Sequence, residues 1–228
     1  PFMIAGAVIL HVWALHVPGN NNPTGVEVKG KGDTLPFHPY YTVKDGFAIV
    51  VFLMIFMGFV FYAPNVLGHA DNYIEANPLS TPSHIVPEWY LLPFYAILRA
   101  ITFDIGPISA KLGGVLAMFG AIGVLFVLPW LDGSPVKSMR YRPVAKWFFL
   151  IFVITCFGLG WCGAENPDNY VLGTPLTFLI MGQVLTAYYF AYFLVILPVL
   201  GFIEKPTERP ASIEASVLGK QPAAAPAE

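Results

Sequence analysis

The chain has 228 residues, 56% of them hydrophobic and 11% charged, with a formal net charge of -2 and a mean hydropathy of +0.64. Soluble domains carry about 25% charged residues, so a chain this poor in charge lacks the polar surface to coat a water-soluble globule. Its basic residues are scattered, which excludes the electrostatic footprint of a nucleic-acid binder.

An apolar run is already under way at Pro1, with no initiator Met and no leader, so a fragment, or a chain cut within a helix, is expected. One incomplete and four complete membrane spans follow: Phe2 to about His16, Gly46 to Ala63, Leu112 to Leu131, Trp147 to Gly163 and Leu176 to Phe202. A hydrocarbon core of about 30 Å needs about 20 helical residues, with a usable range of about 17–25. The second and fourth runs are short but sufficient, and the fifth is long enough to tilt or project. The expected fold is all-α, a polytopic transmembrane helix bundle.

The loops give the orientation. The first, about Val17 to Asp45, carries Lys29, Lys31 and Lys44; the third carries Lys137, Arg140, Arg142 and Lys146; the tail carries Lys205, Arg209 and Lys220. Ten of the 12 basic residues thus fall on one side of an alternating topology. The other side has Arg99 and Lys111, with Asp71, Glu75, Glu88, Asp104, Glu165 and Asp168. The positive-inside rule puts the basic side in the cytoplasm or matrix. The second and fourth loops then face the periplasm or intermembrane space.

The second loop, Pro64 to Lys111, is too long for a plain connection. Pro64, Pro78, Pro82 and Pro87 stiffen its start, and Glu88–Ile101 is apolar and aromatic. That stretch is expected to form a short helix against the membrane surface, with Pro87 near its first turn, where a missing N–H costs little. Cys156 and Cys162 share the fourth run. Six residues of helix set them about 9 Å apart along the axis, on separate faces, which excludes a disulfide. They read as small apolar packing residues.

Few polar groups could carry chemistry. His11 lies inside the first span and His16 near its cytoplasmic end. An ionisable side chain in a span is costly and defaults to a functional hypothesis; an interface histidine bonded to a neighbour is the alternative. Five residues turn a helix by about 500°, so the two rings point about 140° apart and cannot bind one metal from the same face. Any second axial ligand to a centre bound by His11 must come from another helix, because His38, His69 and His84 lie in loops. Lys44 and Asp45 end the first loop, where the second span begins, with Asp45 expected at the level of His16. A carboxylate and an imidazole there could exchange protons with a bound ligand, or Asp45 could simply favour the helix dipole. On the opposite side, Glu88 stands beside Trp89, Tyr90 and Phe94, where desolvation would disfavour its charged form and tune it as a proton acceptor. A helix cap is its other reading. Tyr95, at i+7, is expected on the same helical face as Glu88, sharing its pocket or packing as an aromatic.

Pro87-Glu88-Trp89-Tyr90 followed by Tyr95-Ala96-Ile97-Leu98-Arg99 resembles the signature of the cytochrome b family, the quinone-handling subunit of bc-type quinol–cytochrome c oxidoreductases. So do His11, the stretch His16-Val17-Pro18-Gly19-Asn20-Asn21-Asn22-Pro23-Thr24-Gly25, and the stretches Asp71-Asn72-Tyr73, Ala76-Asn77-Pro78-Leu79 and Thr81-Pro82. The tetrapeptide alone is a weak signal; several motifs in order and spacing are a specific one. The resemblance runs from Phe2 to about Pro206, and is to the C-terminal half of an alphaproteobacterial or mitochondrial-like cytochrome b.

The resemblance implies roles. His11 is similar to the axial ligand of the high-potential b haem, and so the chain's one ligand to haem iron. Its partner, and both ligands of a second b haem, would lie in an N-terminal half. His16, Asn20, Lys44 and Asp45 match an inner quinone-reduction pocket. Glu88 and Tyr95 match an outer quinol-oxidation pocket shaped by Pro87, Trp89, Tyr90 and Phe94. The implied reaction sends one electron of quinol to an iron–sulfur (Rieske-type) protein and the other through the b haems to quinone. Glu88 would release protons outward, while His16 and Asp45 serve uptake. Implied partners are that iron–sulfur protein, a membrane-anchored c-type cytochrome, the N-terminal half, lipid and a second copy of the complex.

On this reading residues 1–17 end a haem-binding helix, 18–45 form a cytoplasmic loop and 46–203 the C-terminal membrane domain, with outer loop 64–111. Residues 204–228 form a Pro/Ala-rich tail expected to be disordered. The setting is a bacterial inner membrane, or alternatively a mitochondrial one. Split relatives start after the first span and have three spans. This chain is therefore expected to be part of a full-length protein, inactive and without stable haem alone. A secondary transporter is the competing class, disfavoured by the lack of an internal repeat and of intramembrane charge; a structural subunit with relic motifs is another.

Overall fold

The computed structural model describes residues 1–218 apart from 21, 27, 82–84 and 105. Asn21, Pro82 and His84 of the sequence analysis therefore lie outside the described residues, as do 219–228 of the tail. The helices are α1 (Phe2–His16), α2 (Thr42–Tyr62), α3 (Leu92–Ala100), α4 (Ala110–Gly123), α5 (Leu128–Leu131), α6 (Ala145–Ala164), α7 (Phe178–Ala191), α8 (Leu197–Ile203) and α9 (Ile213–Leu218). The all-α expectation holds: among the described residues the only β-pairing is an isolated bridge between Tyr170 and Thr177. Lys31–Tyr62, Ala110–Leu131, Ala145–Ala164 and Phe178–Ile203 are each long and apolar enough to cross a membrane, and Phe2–His16 is a shorter apolar helix.

Two compact units share these elements. The larger comprises 45–135 and 144–205. Its centre is α3, which packs against α6, α4 and α7 and buries Ala96, Ile97 and Ala100. In a bilayer helices gain little from apolar contact with one another, so small residues and hydrogen bonds hold them together. Both occur here. Gly163 of α6 and Gly114 of α4 lie so close to the carbonyls of Leu92 and Leu98 that a Cβ at either would collide with them. The backbone of α3 is thus notched into a span on each side. The Gln183 side chain of α7 donates to Ala100 O at 3.0 Å and to Thr102 Oγ1 at 3.2 Å, satisfying acceptors at the end of α3.

Deeper in the bundle, Phe152 of α6 sits among Tyr189, Tyr192 and Phe193, with ring centroids 5.4, 4.5 and 5.1 Å away. Two phenols reach polar partners: the buried Tyr189 donates to Ala121 O and the half-buried Tyr188 to Phe148 O, both at 2.9 Å. Prolines explain the irregular turns. Pro129 removes an N–H and crowds the carbonyl four residues back, and the turn before it, Val124–Val127, is 3-10. Before Pro198 the last span widens into a π turn over Tyr192–Ile196. The Glu204 carboxylate accepts from Val144 N at 2.8 Å and Ala145 N at 2.9 Å, capping α6 from across the sequence. By contrast α2, almost all of it in this unit, has no buried residue.

The other unit comprises 1–44, 136–143 and 206–228. It holds α1, which also buries nothing, and a small polar crossing of three segments. Ser138 donates to Pro23 O at 3.3 Å, Arg209 to Gly25 O at 3.2 Å, and Thr207 N to Tyr141 O at 2.9 Å. Val26, Tyr141 and Arg142 are buried there.

Candidate functional site

Of the outer-site candidates, Pro87 and Glu88 line one cavity of about 720 Å³, and Trp89, Tyr90, Phe94 and Tyr95 do not. Its lining includes His69, Asp71, Glu75, Ile85, Pro87 and Glu88. The chain arrives there through a 3-10 turn, Ala70–Tyr73, whose N-cap is His69: the ring nitrogen Nδ1 accepts from Asp71 N at 3.3 Å and lies 3.5 Å from the Asp71 carboxylate. After the residues left undescribed, Pro87 delivers Glu88 in an extended conformation, and Trp89–Leu91 form a 3-10 turn that runs into α3.

This start differs from the expected one. The helix does not begin at Glu88 with Pro87 in its first turn; that position is taken by Pro93, and Pro87 stands outside. Glu88 is the N-cap residue by position, yet its side chain makes no capping bond, so the cap reading is not realised. Its carboxylate is exposed rather than wedged among Trp89, Tyr90 and Phe94; Trp89 and Tyr90 are exposed too, packed edge-on at 5.6 Å, and Phe94 is half-buried. Because Glu88 lies outside the helix, the i+7 argument does not link it to Tyr95. The link runs through Ile85: the Tyr95 hydroxyl donates to Ile85 O at 3.3 Å, and Ile85 lines the same cavity as Glu88.

Three residues around this loop were not singled out from sequence. His69 and Asp71 sit one residue apart in a turn, a spacing that joins an imidazole to a carboxylate only once the turn is known. Arg99, the penultimate residue of α3, has its guanidinium 4.6 Å over the Tyr95 ring and donates through Nη2 to Cys162 O and, at 3.1 Å, to Glu165 O.

The residues of the expected inner group are placed as follows. His16 is the last residue of α1 and Asn20 follows it, both exposed. Lys44 holds its Nζ 5.8 Å over the Tyr41 ring. Those three belong to the smaller unit, and Asp45, in the first turn of α2, opens the larger one. His11 lies within α1, exposed on a helix that buries nothing. Among the described residues no three His, Cys, Asp or Glu side chains gather to hold a bare metal ion. A lone accessible imidazole on an apolar helix is of a kind that would serve as a ligand to haem iron.

The family model described as "Cytochrome b(C-terminal)/b6/petD" matches residues 75–190, more than half of the chain. The chain belongs to this family, the C-terminal part of cytochrome b. It is 54% identical over 217 residues to the cytochrome b of Rhodospirillum rubrum, covering 95% of this chain and 50% of that protein. It is 53% identical over 231 residues to that of Cereibacter sphaeroides, covering 94% and 50%. In structure it is similar to a chain of a hyperthermophilic respiratory complex III, with a TM-score of 0.78 and 36% identity over 90% of this chain and 49% of that one. The chain thus spans about half the length of the relatives it matches. The recognition of a cytochrome b C-terminal half, alphaproteobacterial in likeness, and the polytopic helical fold are both borne out.

Proposed function

We propose that the chain is the C-terminal half of the cytochrome b of a membrane-bound quinol–cytochrome c oxidoreductase, sited in a bacterial inner membrane. Residues 46–203 form its membrane domain, 1–17 end a haem-binding helix, and 18–45 is the loop on the cytoplasmic side. Quinol is oxidised near Glu88 and quinone reduced near His16, Asn20, Lys44 and Asp45, with proton release on one side and uptake on the other. The partners are the N-terminal half, an iron–sulfur protein and a membrane-anchored c-type cytochrome, in a dimeric complex.

The observation that carries this reading is the exposed, uncapped Glu88 carboxylate at the rim of the outer-loop cavity, within the family's matched segment. A general base must present a free lone pair to its proton donor, and a carboxylate tied up in a helix cap does not. Glu88 is free to take a proton from a quinol hydroxyl and to give it up through the water-accessible cavity. Pro87 and the turn at Trp89–Leu91 fix the backbone on either side of it. Tyr95 closes the edge of that segment by holding Ile85. On α1, His11 would ligate one b-type haem, which when bound supplies one-electron transfer between the two sides. Lys44 and Asp45 offer a cation and a carboxylate at the start of a span, suited to holding a quinone oxygen and passing a proton to it.

The test is quinol-dependent cytochrome c reduction in membranes carrying the full-length gene, wild type against Glu88→Gln. Loss of a general base costs about a hundredfold or more. The expected result is that loss with the b-haem spectrum intact. Unchanged turnover would remove Glu88 from quinol oxidation, and a wild type with neither haem nor activity would overturn the whole reading.

A further inference from the structure

Arg99 is the one charged residue of α3, and it is half-buried. Its guanidinium does two things at once. Through Nη2 it binds Cys162 O and Glu165 O, two acceptors at the C-terminal end of α6. A cation there satisfies carbonyls that have no partner within the helix and faces the negative end of the helix dipole. The same group lies 4.6 Å over the Tyr95 ring, within the range of a cation–π contact. Its Nε finds no hydrogen-bond partner among the described residues, so the polar attachment runs through one end of the fork and leaves the flat face for the ring.

Tyr95 is held at both ends by this arrangement. Arg99 lies over its face, and its hydroxyl donates to Ile85 O at the cavity wall. The guanidinium itself is pinned to the end of α6, whose Gly163 is notched onto Leu92 of α3. We propose that Arg99 is a positioning residue for quinol oxidation: it locks the Tyr95 ring, and through it the Ile85 wall of the cavity beside Glu88. This rests on the proposed function above. Arg99 itself does not line the outer-loop cavity, so it acts through Tyr95 and not on the substrate.

A helix cap and a ring lock predict different things for Arg99→Lys. Lysine keeps the charge and can still donate to both carbonyls, but it lacks the planar face that lies on the ring. The experiment is steady-state quinol–cytochrome c reduction by the full-length complex in membranes, with b haem quantified optically. Wild type is compared with Arg99→Lys, Tyr95→Leu, the double variant, and Glu88→Gln as the control for the underlying reading. Arg99→Lys is expected to keep its haem and to raise the KM for quinol by about fivefold, the size of one partly desolvated cation–π contact, with kcat changed less. In the Tyr95→Leu background the same substitution is expected to add nothing. Full rescue by lysine, or effects that simply multiply with those of Tyr95→Leu, would reduce Arg99 to a cap and overturn the proposal. Should Arg99→Lys fail to retain haem, Tyr95→Phe against Tyr95→Leu decides. Phenylalanine keeps the ring under the native guanidinium and should hold KM closer to wild type; equal damage overturns the proposal. A Glu88→Gln complex with normal turnover would instead bring down the underlying site assignment, an outcome separable from the rest.

Discussion

Gly163 presents its bare α-carbon to the carbonyl oxygen of Leu92, with no room for a Cβ between them. That contact seats the first turn of α3 on the last turn of α6, and with it the chain that follows Glu88. A methyl group at Gly163 must push backbone, which does not yield as a flexible side chain does. Gly163→Ala is expected to destabilise the full-length protein by about 2 kcal/mol, in the range of overpacked cores. Gly160→Ala is the control: its Cβ would meet Pro93 Cγ at an ordinary 3.8 Å. Thermal loss of the b-haem spectrum in detergent measures both, and equal midpoints would refute the notch.

The aromatic centre should respond in proportion to what is removed. Phe152→Ala strips a ring that packs against four others and is expected to cost about 3 kcal/mol or more. Tyr189→Phe removes only the hydrogen bond to Ala121 O. Side-chain hydrogen bonds between membrane helices average about 0.6 kcal/mol, so the second variant should be barely distinguishable from wild type. The same thermal assay ranks the pair, and a reversed order would relocate the core.

His11→Leu in the full-length protein addresses the haem. If His11 supplies one axial ligand, redox titration of the b-band absorbance should lose one component and keep the other. Two intact components would return His11 to the role of a lipid-facing or interface histidine.

Glu204 accepts two backbone N–H groups at the start of α6. Glu204→Ala is expected to cost about 1–2 kcal/mol, the usual worth of an N-terminal cap. Glu204→Gln retains an acceptor oxygen and should recover part of that stability. Identical behaviour of the two variants would mean that the carboxylate contributes nothing through these bonds.

The spans were legible because long apolar runs leave a chain few other structures in lipid. Phe2–His16 was read to the residue, and the other spans to within a few positions. The kinks before Pro129 and Pro198 had a visible signal in the prolines themselves. The course of α3 was not legible. Its sequence fits an interfacial helix, but whether Ala96, Ile97 and Ala100 meet lipid or protein depends on glycines in α4 and α6, up to 71 residues away in the case of Leu92 and Gly163. For the proposed site, Glu88 could be named from the sequence but its surroundings could not. One residue decides the difference: with Glu88 in extended backbone, helical periodicity no longer relates it to Tyr95. The contacts of Arg99 were not legible because its acceptors are backbone carbonyls, which no side-chain pattern records.

The Glu204 cap also bears on how the protein is made. Chain synthesis delivers the start of α6 some sixty positions before the carboxylate that serves it. Until the helix that ends at Ile203 has been threaded through the bilayer, Val144 and Ala145 have only water or lipid headgroups for their N–H groups. Insertion of that helix therefore completes a neighbour laid down two helices earlier. A ribosome stalled before residue 204 should leave α6 fraying at its membrane boundary, and so open to proteases that act on half-built membrane chains.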